Sequence, residues 1–188
     1  MTQTQIALVA IAVIAIVAIV ALIFLRQRSA KLRARFGPEY DRAVAEKGNR
    51  FKAEAELQSV EKRVKSYSLK TLSAADRDGF QQSWRKIQAE FVDDPARALS
   101  EADQLIGTVM LACGYPPSDF ENRAAEISVD HATVVEHYRA GHDIAVLQSE
   151  HRATTEILRK GMIHYRALFD ELMGEEQIPL RARTVGRS

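Results

Sequence analysis

The sequence predicts an all-α protein made of an N-terminal transmembrane helix, a long amphipathic stalk helix and a helical bundle. Three observations predict it. Residues 6–25 are apolar without interruption, apolar side chains beyond them recur at three- and four-residue spacing, and no segment alternates with the period of two that marks a half-buried strand. The 188 residues are 46% hydrophobic and 27% charged, which excludes wholesale disorder and a multi-span membrane protein. A single cysteine, Cys113, excludes an internal disulfide framework and every zinc site that needs two thiolates from one chain.

The apolar run reads IALVAIAVIAIVAIVALIFL. At helical rise its twenty residues reach about 30 Å, the thickness of a bilayer's hydrocarbon core. A buried helix of a soluble protein is usually shorter and polar on one face. A cleavable signal peptide normally carries Lys or Arg before a run of about 7–15 residues and a small-x-small site after it. Here Met-Thr-Gln-Thr-Gln precedes the run and Phe24-Leu25-Arg26 follows it. A retained anchor over residues 6–25 is therefore expected, with residues 1–5 as a short extracytoplasmic end. The flank after it carries Arg26, Arg28, Lys31, Arg33 and Arg35 and no acid. Basic residues beside a span stay in the cytoplasm, which predicts a single-pass protein with its N-terminus out and its soluble domain in. The same cluster would lie against anionic headgroups, each cation contributing about 1 kcal/mol. No aromatic residues or known module are interleaved with it, so nucleic acid is not an expected partner.

A net charge of +1 conceals an uneven distribution. Residues 26–70 carry 13 basic and 6 acidic side chains, whereas residues 71–174 carry 10 basic and 17 acidic. A basic juxtamembrane stalk before an acidic body suits an anionic leaflet, and the two parts would also attract one another. Gly37-Pro38 should end the anchor helix and start a new one. In the stalk, Tyr40, Val44, Lys47 and Phe51 form one stripe, and Ala53, Leu57, Val60, Val64 and Tyr67 form another. The stripes fall out of phase by about one residue near Gly48-Asn49. Unbroken, this helix would measure about 45 Å. It is too irregular for a clean coiled coil, so packing on its own domain is expected ahead of homotypic pairing.

Four or five further helices are expected in the body, residues 71–174. Ser73-Ala-Ala-Asp76 is a capping signal, and Phe80, Trp84, Ile87 and Phe91 share one face behind it. Asp94 and Pro95 supply the N-cap and first residue of the next helix. Its stripe of Leu99, Ala102, Leu105 or Ile106, Val109, Met110 and Cys113 stops at Gly114. A stiff Tyr115-Pro-Pro corner leads to a short helix near residues 119–127. Asp130 is expected to cap the helix carrying Val134, Val135, Tyr138, Ile144 and Leu147. Thr154 or Thr155 should open the last, with Ile157, Leu158, Met162, Tyr165, Phe169 and Leu172 on its inner face. The tail, residues 175–188, is expected to be disordered.

Several stretches stand out together: Arg35-Phe-Gly-Pro-Glu-Tyr-Asp41, Gly48-Asn-Arg-Phe51, Phe91-Val-Asp-Asp-Pro95, Ser128-Val-Asp-His131, Val135-Glu-His-Tyr-Arg139 and His164-Tyr-Arg-Ala-Leu-Phe169. In these the chain resembles a family of uncharacterised small bacterial proteins that join one N-terminal transmembrane span to a helical soluble domain. The resemblance runs from the stalk to Gly174 and implies that architecture. It brings no activity and no catalytic residues.

Candidates for chemistry are few. The sequence holds no phosphate-binding Gly-rich loop and no Gly-x-Ser-x-Gly nucleophile elbow. Of His131, His137, His142, His151 and His164, no two have the helical spacing of a metal site, and no Glu-x-x-His occurs. His137 and His164 are the best candidates, because each stands next to a tyrosine in a His-Tyr-Arg unit and the two could meet across the bundle, in an antiparallel helix pair, with Glu136 or Arg139. There the tyrosines would bury their rings while Arg139 and Arg166 reach carboxylates. Interhelical hydrogen bonding is the simpler role for these histidines, and no metal or cofactor is assigned. Cys113, on an apolar stripe near a helix C-terminus, reads as a buried structural thiol. The expected function is a non-enzymatic, membrane-anchored adaptor or scaffold whose partners are the lipid bilayer and a protein or a second copy of itself. The alternatives are a small-ligand- or metal-binding domain using the histidines, and an exported domain whose N-terminal run is a signal sequence.

Overall fold

A computed structural model describes residues 3–174, with side-chain positions from Ala12 onward. Residues 1–2 and the tail from 175 to 188, expected to be disordered, lie outside the described residues. Those described form eight helices and no strand: α1 (Gln3–Phe36), α2 (Pro38–Lys47), α3 (Arg50–Lys65), α4 (Ala74–Glu90), α5 (Pro95–Ala112), α6 (Phe120–Ile127), α7 (Val135–Ser149) and α8 (Thr155–Gly174). The protein is all-α.

One helix, within α1, is long and apolar enough to cross a membrane by length and composition. Ile14, Val17, Val20 and Phe24 on it are 59–68% exposed, so the protein itself does not cover this surface. The same helix then changes role without a break. Ser29, Leu32 and Phe36, one turn apart, are buried against the domain, Phe36 completely. Gly37, at φ 53°, ends it, and Pro38 opens α2 as its first residue.

The stalk is two helices where the apolar pattern read as one long one. Gly48 adopts the left-handed conformation at φ 59° and closes α2 through its backbone N–H to Val44. Asn49 then caps α3, its side chain accepting from the N–H groups of Phe51 and Lys52. This is the place where the two stripes slip phase. The chain folds back there, so that Tyr40, Leu57, Val60 and Val64 bury with Leu32 and Phe36 in a small core shared by α1, α2 and α3.

The body follows its local signals closely. Ser73 Oγ accepts from the Asp76 N–H, Asp94 from the Arg97 N–H, and Asp119 from the Asn122 N–H. Pro95 is the first residue of α5, and Gly114 follows its C-terminus at φ 95°. Asp130 is a correction. The helix after it begins at Val135 with no side-chain cap, because the turns from 127 to 134 continue through backbone bonds such as His131 N–H to Ile127 O. The Asp130 carboxylate instead faces Arg35 of α1 at 3.7 Å. The large core joins α4, α5, α7 and α8, with Trp84 stacked on Phe169 at 4.8 Å between ring centroids.

Candidate functional site

The α7–α8 hairpin brings the twin His-Tyr-Arg units together. The two helices run antiparallel and approach closely at two glycines. A Cβ on Gly141 would meet the Tyr165 ring at 3.0 Å, and one on Gly161 would meet Ile144 of α7 at 2.9 Å. This proximity lets both tyrosine rings bury completely. The Tyr165 hydroxyl donates to Asp103 of α5 at 2.9 Å. Burial first, and the Asp103 carboxylate second, push its pKa upward. Tyr138 packs on Phe120 of α6, with ring centroids 5.0 Å apart, and burial raises its pKa too.

His137 and His164 meet as the paired units suggest, with Nδ1 to Nδ1 at 2.9 Å. One imidazole donates and the other accepts, so the pair holds a single proton between the two nitrogens. Burial, and then the charge on His137, push the His164 pKa below its ordinary 6.5. Among the described residues no group of three or more His, Cys, Asp or Glu side chains could hold a metal ion. The other histidines are dispersed. His131 is buried with Nδ1 3.4 Å from Glu171, His142 stacks on Phe120 at 3.5 Å, and His151 is exposed at φ 54°.

The arginines of the two units differ. Arg166 is exposed, paired with Asp170 at 2.7 Å and set over the Trp84 ring. Arg139 points the other way and joins three elements. Its Nε and Nη2 grip both oxygens of Glu39 on α2 at 2.8 and 2.6 Å, and Nη1 reaches Glu121 on α6 at 2.9 Å. This bidentate contact is part-buried and charge-assisted, the strongest kind of side-chain hydrogen bond. Beside it, a cleft of about 160 Å³ runs between α2, α3 and α6, lined by both signs of charge, including Glu46, Lys47 and Arg63.

Two more buried carboxylates escaped the sequence reading. Glu54 of α3 accepts from Ser29 Oγ at 2.6 Å, Tyr40 Oη at 2.8 Å and Arg50 Nε at 2.9 Å. Burial works to raise its pKa, but these three donors outweigh burial and hold it below the usual glutamate value. Glu126 of α6 accepts from Arg63 at 3.0 Å and Tyr67 at 2.8 Å, tying α3 to the body. With Glu39, these are the only buried carboxylates among the described residues. Their partners come from distant parts of the chain, so no local pattern announces them.

The basic cluster that follows the apolar run divides. Arg28 donates to Gln58, Arg33 pairs with Asp41 at 2.9 Å, and Arg35 pairs with Glu61 at 3.1 Å. Arg26 and Lys31 are exposed. Cys113 is buried, and burial pushes its thiol up to about 11. No family model, curated protein or solved structure matches the chain.

Proposed function

We propose that this is a single-pass protein of a bacterial inner membrane, N-terminus out, whose cytoplasmic helical domain is a non-enzymatic adaptor for a protein partner or a second copy. The observation that carries the reading is the continuity of α1. One unbroken helix runs from the apolar surface at residues 12–25 to Phe36, which is fully buried in the domain. A signal sequence also satisfies the test of length and composition. A rod whose far end is a core element of the domain favours retention, because cutting after the apolar run would sever a continuous helix just before its buried turns. The basic flank supports the orientation, and the family resemblance fits the same plan. The buried carboxylates of Glu39, Glu54 and Glu126 each accept hydrogen bonds from another helix, as a scaffold requires.

A reporter fused after Ser188 should be active only as a cytoplasmic reporter; activity of an exported alkaline phosphatase fusion would overturn the orientation. Site-specific cross-linking in intact cells from exposed domain positions should give a discrete adduct with a protein or a second copy. Monomer alone at every position would overturn the adaptor role. The 2.9 Å contact of His137 and His164 favours one second reading, a small-ligand or metal site completed by groups from outside the chain. Stoichiometric metal in the purified protein, lost in His164→Ala, would put that reading first.

A further inference from the structure

The register of α1, α2 and α3 sets a second part of the chain at the level where the apolar run ends. Ser29 of α1 hydrogen-bonds Glu54 of α3, and Arg35 pairs with Glu61, so the two helices run in the same direction. Three residues back from the first contact, about 4.5 Å along each axis, stand Arg26 on α1 and Phe51 on α3. Helix α2 runs the opposite way from Gly37, so the α2–α3 turn at Gly48-Asn49 lies at the end of the domain that faces the span. That turn reads Lys47-Gly-Asn-Arg-Phe-Lys52, with three cations and no acid.

Phe51 is 69% exposed, although aromatic side chains elsewhere in the domain are buried or half-buried. It does not belong to the small core, whose α3 members are Leu57, Val60 and Val64. Helical side chains lean towards the N-terminus, and the N-terminus of α3 faces the span, so Phe51 and Lys52 lean towards the level of Leu25 and Arg26. Lys52 pairs with no carboxylate among the described residues. Lys47 pairs with Glu56 at 2.8 Å, and Arg50 with the buried Glu54, and both remain substantially exposed. An aromatic ring with cations beside it is the composition of a segment at a membrane–water boundary.

We propose that the α2–α3 turn is a second membrane contact, in which Phe51 enters the headgroup–acyl boundary while Arg26, Lys47, Arg50 and Lys52 face anionic lipid phosphates. The occupant of this surface is the bilayer itself, and the proposal rests on the anchor reading above. With the span it gives the domain two points of attachment, which fix its rotation about α1 as well as its distance from lipid.

The test uses the full chain carrying Phe51→Cys, labelled with a nitrobenzoxadiazole fluorophore and reconstituted in vesicles of phosphatidylglycerol and phosphatidylcholine. The native Cys113 thiol is buried, with its pKa pushed up to about 11, and stays unlabelled in the folded protein. Ser59→Cys, exposed and about 12 Å further along α3, is the depth reference. Phosphatidylcholine spin-labelled near the top of its acyl chain should quench position 51 several-fold more than position 59. Lys47→Gln with Lys52→Gln should reduce that difference in anionic vesicles and leave it unchanged in pure phosphatidylcholine. Vesicle flotation of the same samples separates the two readings. Co-flotation with equal quenching at 51 and 59 overturns the turn contact alone, whereas failure to float overturns the anchor as well.

Discussion

Around α4, α5, α7 and α8 the interior is built from 24 buried apolar or aromatic residues, including the Trp84–Phe169 stack, whereas the unit of α1, α2 and α3 buries seven. The smaller unit and its seam hold all three buried carboxylates among the described residues. The body is held by area removed from water, which needs no specific partner. The unit of α1, α2 and α3, with little area to bury, is held by charge-assisted contacts that require particular partners in particular places. This contrast marks where the domain can yield. Apolar cores lose stability gradually as volume is removed, while a buried ion that loses its partner is left desolvated.

The largest effect should come from the body. Phe169→Ala removes a buried ring and should cost about 3–5 kcal/mol, read as a fall in the denaturant midpoint of the detergent-solubilised protein. A smaller loss would show that the stack with Trp84 is peripheral to stability. Arg139→Ala strands the Glu39 carboxylate and should cost about 3 kcal/mol, with hydrogen exchange rising first in α2 and α6. Uniform exchange across α4–α8 would erase the distinction between seam and body. Glu54→Gln removes the charge that Ser29, Tyr40 and Arg50 share and should cost about 1–2 kcal/mol, confined to α1–α3.

The wild-type protein tests the same point by pH. The Glu54 pKa is lowered on folding, so its contribution is present above its ordinary 4.5 and is lost as pH falls through the lower folded value. Protection of α2 and α3 should therefore fail in acid in the wild type, and the acid step should be smaller in Glu54→Gln. His164 gives the smallest effect. Its pKa is also lowered, so the folded state prefers the neutral ring, and stability should decline as pH falls from 6.5 towards the folded value. A His164→Asn variant with an unchanged pH profile over that range would remove the imidazole pair from the account.

Much of the fold is legible because helix ends are local chemistry. Ser73, Asp94-Pro95, Asp119 and Gly114 act within a few residues of themselves, and each does what its position implies. The break in the stalk was visible as a phase slip, and the turn chemistry of Gly48-Asn49 makes that slip a fold-back. Asp130 misleads for the opposite reason. It has the residue type of a cap, but its carboxylate serves Arg35, nearly a hundred residues earlier, and no local pattern encodes that distance. The meeting of His137 with His164 was legible because the repeated unit carries its own pairing geometry. The Arg139–Glu39 clamp was legible from one side only, since the arginine was conspicuous and the glutamate looked like any other on a charged helix.

Because α1 is unbroken between its exposed apolar part and Phe36, the domain sits on that rod as the head of a lever. A bilayer thinner or thicker than the apolar run changes the angle at which such a helix stands. If the rod spans a bilayer as proposed, that angle would be carried whole into the orientation of α4–α8, and membrane thickness would become a mechanical input that aims the outer face of the domain.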